Sequence, residues 1–184
     1  RKPFAIGVRI EHLREDINRA LYGDFAEHNA LGAADYKLVC HLENGRDVYT
    51  FCMCPGGEVI NSSSEPSGIT VNGMSENARN AENSNSALLV GISPEDIEGD
   101  DILGGCYLQK QIEQKAYSSV NGAVPITTVG NFVFGDEFKI GRVKPSVKPD
   151  YKYADFEDIF PKFITESLKE AIIKFDRKIE GFAD

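Results

Sequence analysis

The chain contains 184 residues, of which 41% are hydrophobic and 27% are charged, and this composition is sufficient for one domain with a hydrophobic core. Its 29 acidic and 20 basic residues give a formal net charge of -9, which disfavours a nucleic-acid backbone as partner. No apolar run reaches the roughly 18 residues of a membrane span and no signal peptide opens the chain, so we expect a soluble, cytoplasmic protein without a membrane partner.

The first part of the chain is predicted to form a strand, a helix and a β-hairpin. Residues 4–10 have strand character, and residues 11–21 repeat apolar side chains at helical spacing. The strand-like runs 36–42 and 47–53 flank an Asn-Gly pair, which tolerates the positive φ angles of a tight turn. These two runs therefore predict the hairpin.

The middle of the chain is predicted to be less regular. The Pro55-Gly56-Gly57 sequence interrupts the second hairpin strand, and short strands are expected at 58–61 and 68–71. Residues 72–86 are rich in Asn and Ser and poor in apolar side chains, which predicts a loop with one helical turn. Strand character returns at 87–92.

The second half is predicted to contain helices and one further strand. Ser93 and Pro94 form a helix start, and an amphipathic helix follows at 103–117. Residues 124–134 have strand composition, and the proline-containing residues 141–150 form a connector. A long amphipathic helix at 160–182 ends the chain. We therefore expect an α+β fold, with a largely antiparallel sheet or partial barrel and flanking helices.

Two cysteines at the end of the second hairpin strand are the first candidate site. On a regular strand Cys52 and Cys54 point to one face, beside the turn at Gly56 and Gly57, where glycines allow a ligand to approach the backbone. These thiols could bind a soft metal, form a redox pair or contact a flavin-bound substrate. Alternatively, one or both are small buried apolar side chains. A C-x-C pair without partner ligands defines no metal site.

Charged residues near the first strand form a second candidate group. Arg9 and Glu11 share a strand face, where the arginine either holds a substrate carboxylate or pairs with its neighbour. His12 lies at the predicted strand-to-helix junction, where an imidazole acts as an acid, a base or a structural cap.

The polar loop supplies a third group of candidates. Its amide, hydroxyl and guanidinium groups suit recognition of a polar substrate or of the exposed edge of a flavin. The alternative is a loop held together by its own Asn and Ser turns. The side chains concerned are those of Asn72, Ser75, Arg79, Asn83 and Asn85.

Several stretches together resemble the uncharacterised FAD-dependent dehydrogenases, a branch of the flavoproteins with two dinucleotide-binding domains. The strongest is YTFCMCPGG at 49–57. The others, in the expected order, are FAIGVRIEH at 4–12, VNGMS at 71–75 with Arg79, and SNSA at 84–87. The resemblance covers most of the first half of the chain, and the second half is similar in general pattern only.

The resemblance implies that residues 1–184 form one domain inserted between two parts of an FAD-binding fold. Such a domain shapes the substrate site over the flavin, while the FAD is held by the other domain of the same polypeptide. The chain lacks the G-x-G-x-x-G loop of a dinucleotide site and begins without Met, as an excised domain would. We therefore expect the fragment alone to be inactive and to bind no FAD. Two alternatives are a stand-alone binding or scaffold module and a thiol-redox or metal-binding protein that uses Cys52 and Cys54.

Overall fold

A computed structural model describes residues 3–184. Arg1 and Lys2, on which the expectation of an excised start partly rests, lie outside the described residues. The strands are β1 (Phe4–Leu13), β2 (Val39–His41), β3 (Asp47–Cys54), β4 (Gly57–Asn61), β5 (Val71–Ser75), β6 (Asn83–Ile92), β7 (Val124–Ile126) and β8 (Tyr151–Tyr153). The α-helices are α1 (Arg14–Tyr22), α2 (Gly104–Ser119), α3 (Phe156–Ile159) and α4 (Lys162–Asp176).

A four-stranded antiparallel sheet forms the centre of the molecule, in the order β1-β6-β3-β2. The long strands β1 and β6 pair along their whole length, from Phe4 opposite Ile92 to Leu13 opposite Asn83. The sheet is open, because β1 and β2 are its two edges. The predicted α+β class is thus confirmed, in its antiparallel-sheet form.

The predicted hairpin is also confirmed, as β2 and β3. The chain reverses over residues 42–46, where the Leu42 N–H donates to the Arg46 carbonyl oxygen at 2.8 Å. Gly45 has a φ of 80°, which is the positive value that the Asn-Gly pair predicts. The first strand is shorter than predicted, because β2 begins only at Val39.

A second hairpin, formed by β4 and β5, lies against β3 and β6. The predicted strand at 68–71 is therefore displaced, and the predicted loop at 72–86 is wrong at both of its ends. Residues 72–75 belong to β5, and residues 83–86 open β6, so that only residues 76–82 join the two strands. The first residues of β6 are polar because their side chains hydrogen-bond to groups far away in the sequence.

Helix α4 covers the other face of the central sheet and contacts all four of its strands. Its buried side chains include Leu168 and Phe175, which belong to the same hydrophobic core as buried residues of β6 such as Leu88. The predicted helix at 160–182 is wrong at both ends, because Pro161 precedes α4 and the helix ends at Asp176. Ile179 and Phe182 are buried, as the apolar pattern suggests, but they lie in turns beyond the helix.

The remaining elements follow the prediction in part. A capping box formed by Ser93 and Asp96 caps the N-terminus of the short 3-10 helix Pro94–Asp96. Helix α2 confirms the predicted helix at 103–117. The predicted strand at 124–134 is wrong beyond β7, since a π-helical turn occupies Gly130–Phe134. Strand β7 pairs in parallel with β8. No helix in residues 3–184 is both long enough and apolar enough to cross a bilayer.

Candidate functional site

Arg9 lies on the outer face of the sheet, opposite the face that α4 covers, and is held by three contacts. Its Nε–H donates to Asn85 Oδ1 at 2.8 Å, and its Nη2–H donates to the Cys52 carbonyl oxygen at 2.7 Å. The same Nη2 lies 3.7 Å from Cys54 Sγ. Burial lowers the pKa of Arg9, while the Cys54 and Cys52 thiols act in the opposite direction. The guanidinium remains charged, since arginine titrates far above neutral pH.

Glu11 shares that face with Arg9 but does not pair with it, so the interpretation of Arg9 and Glu11 as an ion pair is wrong. One Glu11 carboxylate oxygen accepts the Ser146 N–H at 3.0 Å, and the other accepts Asn83 Nδ2–H at 2.9 Å. The Asn83 amide also donates to the Lys144 carbonyl oxygen at 2.8 Å. Glu11 therefore anchors the connector at residues 141–150 to β1.

His12 is a buried residue of β1, two positions before α1 begins, and its side chain faces the hydrophobic core. Its Nε2–H donates to the Phe182 carbonyl oxygen at 2.9 Å, and its Nδ1 has no hydrogen-bond partner. The rings of Phe182 and Tyr36 pack beside it. Burial lowers the pKa of His12, so the imidazole is held neutral. This environment favours the structural interpretation of His12 over acid-base chemistry.

Cys52 and Cys54 lie at a β-bulge, because the register between β3 and β6 shifts between Phe51 and Cys54. Cys52 has a φ of 44°, a left-handed conformation that residues other than glycine rarely adopt. Its side chain is exposed, and Cys54 is half-buried beside Arg9. The interpretation of these thiols as buried apolar side chains is therefore wrong.

Gly56 and Gly57 are buried, and the space beside each is filled by the protein itself. A Cβ on Gly56 would lie 1.8 Å from the Arg79 carbonyl oxygen, and one on Gly57 would lie 2.4 Å from the Met74 carbonyl oxygen. Gly56 also has a φ of 51°. The prediction that these glycines admit a ligand to the backbone is wrong, because they admit neighbouring protein backbone.

The turn at Gly56 and the loop at 76–82 meet directly. The Ala81 N–H donates to the Gly56 carbonyl oxygen at 3.2 Å, and the Gly56 N–H donates to Ser84 Oγ at 3.0 Å. Ser75 Oγ–H donates to the Pro55 carbonyl oxygen at 2.9 Å. The Arg79 side chain is exposed on this loop.

The two remaining polar candidates have different environments. Asn72 is exposed, and its Oδ1 accepts the adjacent Gly73 N–H at 2.8 Å. Asn85 is fully buried; its Oδ1 accepts from Arg9 and its Nδ2 has no partner. The structure thus brings Arg9, Cys52, Cys54 and Asn85 together, with Gly56, Gly57, Ser75 and Arg79 in the adjoining turn and loop, and keeps His12 in the core.

A cavity of about 440 Å³ lies along β1, and the sequence interpretation missed it. Consecutive residues of strand β1, among them Arg9, Glu11 and His12, form one wall of this cavity, and residues 125–143 provide most of the other. Asp136, Lys139 and Arg142 bring charged groups to that second wall. In the sequence, glycines at positions 130, 135 and 141 lie within a short charged segment, and this spacing indicates a wall without regular strands.

Residues 3–184 contain no metal-ligand cluster, and the junction of β1 and α1 is not a phosphate-binding loop. Within residues 3–184 no three His, Cys, Asp or Glu side chains are grouped to hold a metal ion. At the junction of β1 and α1 the chain passes directly from Leu13 to Arg14 without a glycine, and Glu15 and Asp16 occupy the first helical turn. Two carboxylates at a helix N-terminus repel a pyrophosphate group.

Comparison with known proteins identifies the family. Residues 3–184 match the family model described as FAD-dependent protein, C-terminal domain-like. The chain therefore belongs to this family of FAD-dependent proteins, which confirms the resemblance seen in the sequence. An uncharacterized protein of Clostridium beijerinckii is 44% identical over 186 residues, and the match covers 99% of this chain. The chain spans 35% of the length of that relative.

Proposed function

We propose that this chain is the substrate domain of an FAD-dependent oxidoreductase of the dehydrogenase type, inserted into the FAD-binding fold of the same polypeptide. In this proposal the flavin supplies the electron transfer when bound. The domain orients a small substrate over the isoalloxazine ring and excludes water. The family match supports an FAD-dependent parent, and the relative's greater length leaves room for a separate FAD-binding domain.

The observation that carries this proposal is the junction of the Gly56 turn with the loop at 76–82. The hydrogen bond from Ala81 to Gly56 and the close approach of the Arg79 carbonyl oxygen fix the loop against the end of the sheet. Functional side chains are commonly presented from loops that a rigid scaffold positions. The Arg79 side chain is exposed there, and within residues 3–184 it forms no hydrogen bond or ion pair, while its backbone N–H donates to the Glu76 carbonyl oxygen at 3.0 Å.

The chemistry of this surface favours a polar or anionic substrate. Arg79 offers a planar cation with several N–H donors, which matches a carboxylate or phosphate group. Asn72 adds an exposed amide on β5, and Cys52 adds an exposed thiol at the bulge. A cation near the flavin would also stabilise negative charge that develops on the ring.

This proposal is tested in the full-length enzyme with the variants Arg79→Ala, Cys52→Ser and Cys54→Ser. Each is expected to reduce turnover while leaving the FAD content nearly normal, because the cofactor is anchored in another domain. Sulfite, which adds to oxidised flavin and bleaches its visible absorption, provides a readout that needs no substrate. We expect Arg79→Ala to weaken sulfite binding roughly two- to fivefold, the effect of removing one partly solvated charge.

The matched control is Arg177→Ala, which removes an exposed arginine just after α4. Since α4 covers the opposite face of the sheet, this variant should bind sulfite as the wild type does. Equal sulfite affinities in Arg79→Ala and wild type, or a loss of FAD from the Arg79 variant, would refute the placement of this loop over the flavin.

A further inference from the structure

The bulge in β3 joins two thiols to a fixed positive charge. Cys54 Sγ lies 3.7 Å from Arg9 Nη2 and 3.4 Å from the Cys52 carbonyl oxygen. Cys52 follows Phe51 in a left-handed conformation, with a φ of 44° and an exposed side chain. Strained backbone of this kind persists where the surroundings impose it, and it is concentrated at functional sites.

The positive charge is built into the fold and is not a mobile surface contact. Arg9 Nε–H donates to the fully buried Asn85, whose Nδ2 has no partner. Gly73 of β5 covers this pair so closely that a Cβ there would lie 2.3 Å from Arg9 Nη2. The hairpin of β4 and β5 therefore holds the guanidinium against Cys54. Burying the unpaired Asn85 amide and covering the Arg9 guanidinium both cost folding free energy. That cost is not expected if the neighbouring Cys54 thiol has no chemical role.

The two cysteines are also close enough to be joined. Two residues of chain span at most about 7 Å, which is near the upper limit of Cα separations that a disulfide bridges. The Cys54 sulfur already lies against the Cys52 peptide group, since 3.4 Å separates it from the Cys52 carbonyl oxygen. Both thiols are free in this structure.

We propose that Cys52 and Cys54 form a reversible dithiol-disulfide couple that exchanges with a small-molecule disulfide, with Cys52 as the entry thiol and Cys54 as the resolving thiol. The exposed Cys52 thiolate attacks one sulfur of the disulfide, forms a mixed disulfide and releases one thiol. The Cys54 thiolate, whose Sγ lies 3.7 Å from Arg9 Nη2, then attacks the Cys52 sulfur and releases the second thiol. Two protein thiols are oxidised and one external disulfide is reduced, so hydrogen atoms and electrons balance. This couple does not depend on the flavin role proposed above.

The test is incubation of the reduced full chain with glutathione disulfide, followed by alkylation of free thiols and peptide mass spectrometry. We expect the wild type to yield a Cys52-Cys54 disulfide, two hydrogens lighter than the dithiol, with little glutathione retained on Cys52. In Cys54→Ser the mixed disulfide on Cys52 should become the main product. In Cys52→Ser the reaction at position 54 should be slow, because Cys54 is only half-exposed.

Cys106 is an internal control, since it is exposed on α2 and should form a persistent mixed disulfide in every variant. Arg9→Gln should slow closure of the Cys52-Cys54 disulfide roughly two- to fivefold, and Arg9→Lys should restore part of that rate. Glutathione retained on Cys52 equally in wild type and Cys54→Ser would overturn the couple. The couple would also be overturned if Cys52 stayed unmodified while Cys106 reacted. An unchanged rate of Cys52-Cys54 disulfide closure in Arg9→Gln would overturn the role of the arginine.

Discussion

His12 is a titratable group that the fold keeps neutral. It is 3% exposed, its Nε2–H donates to the Phe182 carbonyl oxygen, and burial lowers its pKa. In the unfolded chain the same imidazole titrates at about 6.5. As the pH falls below that value, the unfolded state binds a proton that the folded state does not, so the free energy of unfolding decreases.

We therefore expect the protein to lose stability as the pH falls below about 6.5, by up to about 1.4 kcal/mol per pH unit from this residue. The measurement is urea unfolding of wild type and His12→Gln at a series of pH values. His12→Gln should reduce the slope, whatever its effect on stability at neutral pH. The control is His28→Gln, since His28 is exposed and this variant should keep the wild-type slope. An identical pH dependence in His12→Gln and wild type would show that His12 does not titrate as described.

Gly73 is required by the side chains beneath it. A Cβ at this position would lie 2.3 Å from Arg9 Nη2 and 2.4 Å from Asn85 Oδ1. Gly73→Ala should therefore lower the free energy of unfolding by roughly 1 to 3 kcal/mol, the usual cost of overpacking. Denaturant unfolding measures this loss. Gly32→Ala is the control, because nothing lies within 4 Å of a Cβ there, and equal stabilities for the two variants would contradict the close packing over Arg9.

The residues of the candidate site were predictable as a set, but their contacts were not. Arg9, Cys52, Cys54 and Asn85 stand out in the sequence as reactive or polar groups, and the structure joins them. Their pairing depends on the register of β1, β6 and β3, which no local pattern encodes. The first residues of β6 show this most clearly, because each polar side chain has a distant partner: Asn83 with Glu11, Ser84 with Gly56, Asn85 with Arg9 and Ser86 with Tyr36. A stretch of Asn and Ser therefore resembled a loop although it is a buried strand.

Among the elements, α4 is the main cover of the sheet. Phe175 is fully buried against Phe182 and the sheet, whereas Ile173 on the same helix is 39% exposed. We expect Phe175→Ala to lower the free energy of unfolding by roughly 3 to 5 kcal/mol and Ile173→Ala to have a much smaller effect. Chemical denaturation of both variants provides the measurement. A loss below about 1 kcal/mol for Phe175→Ala would mean that this face of α4 does not support the core.

Elements with a strong local signal were predicted well, and elements that depend on side-chain competition were not. The hairpin of β2 and β3 and helix α2 follow from an Asn-Gly turn and helical periodicity. Residues 127–134 have strand composition, yet Thr127 and Thr128 both hydrogen-bond to Asn131 and Asn131 Nδ2–H donates to the Asp136 carbonyl oxygen. These local bonds satisfy the backbone in a helical turn and compete with a strand.

At the scale of the whole molecule, the isolated chain should bind FAD negligibly. The junction of β1 and α1 carries Arg14, Glu15 and Asp16 in place of a glycine-rich phosphate loop, and a net charge of -9 adds repulsion toward a pyrophosphate. Calorimetric titration of the purified 184-residue chain with FAD is expected to give no binding at micromolar concentrations, and the purified chain should be colourless. The full-length protein under the same conditions is the positive control, because the proposal assigns the FAD site to another domain of that polypeptide. A yellow chain with a flavin spectrum, or a micromolar affinity for FAD, would place a cofactor site within these residues. Either result would contradict the proposal that FAD is bound by another domain of the polypeptide.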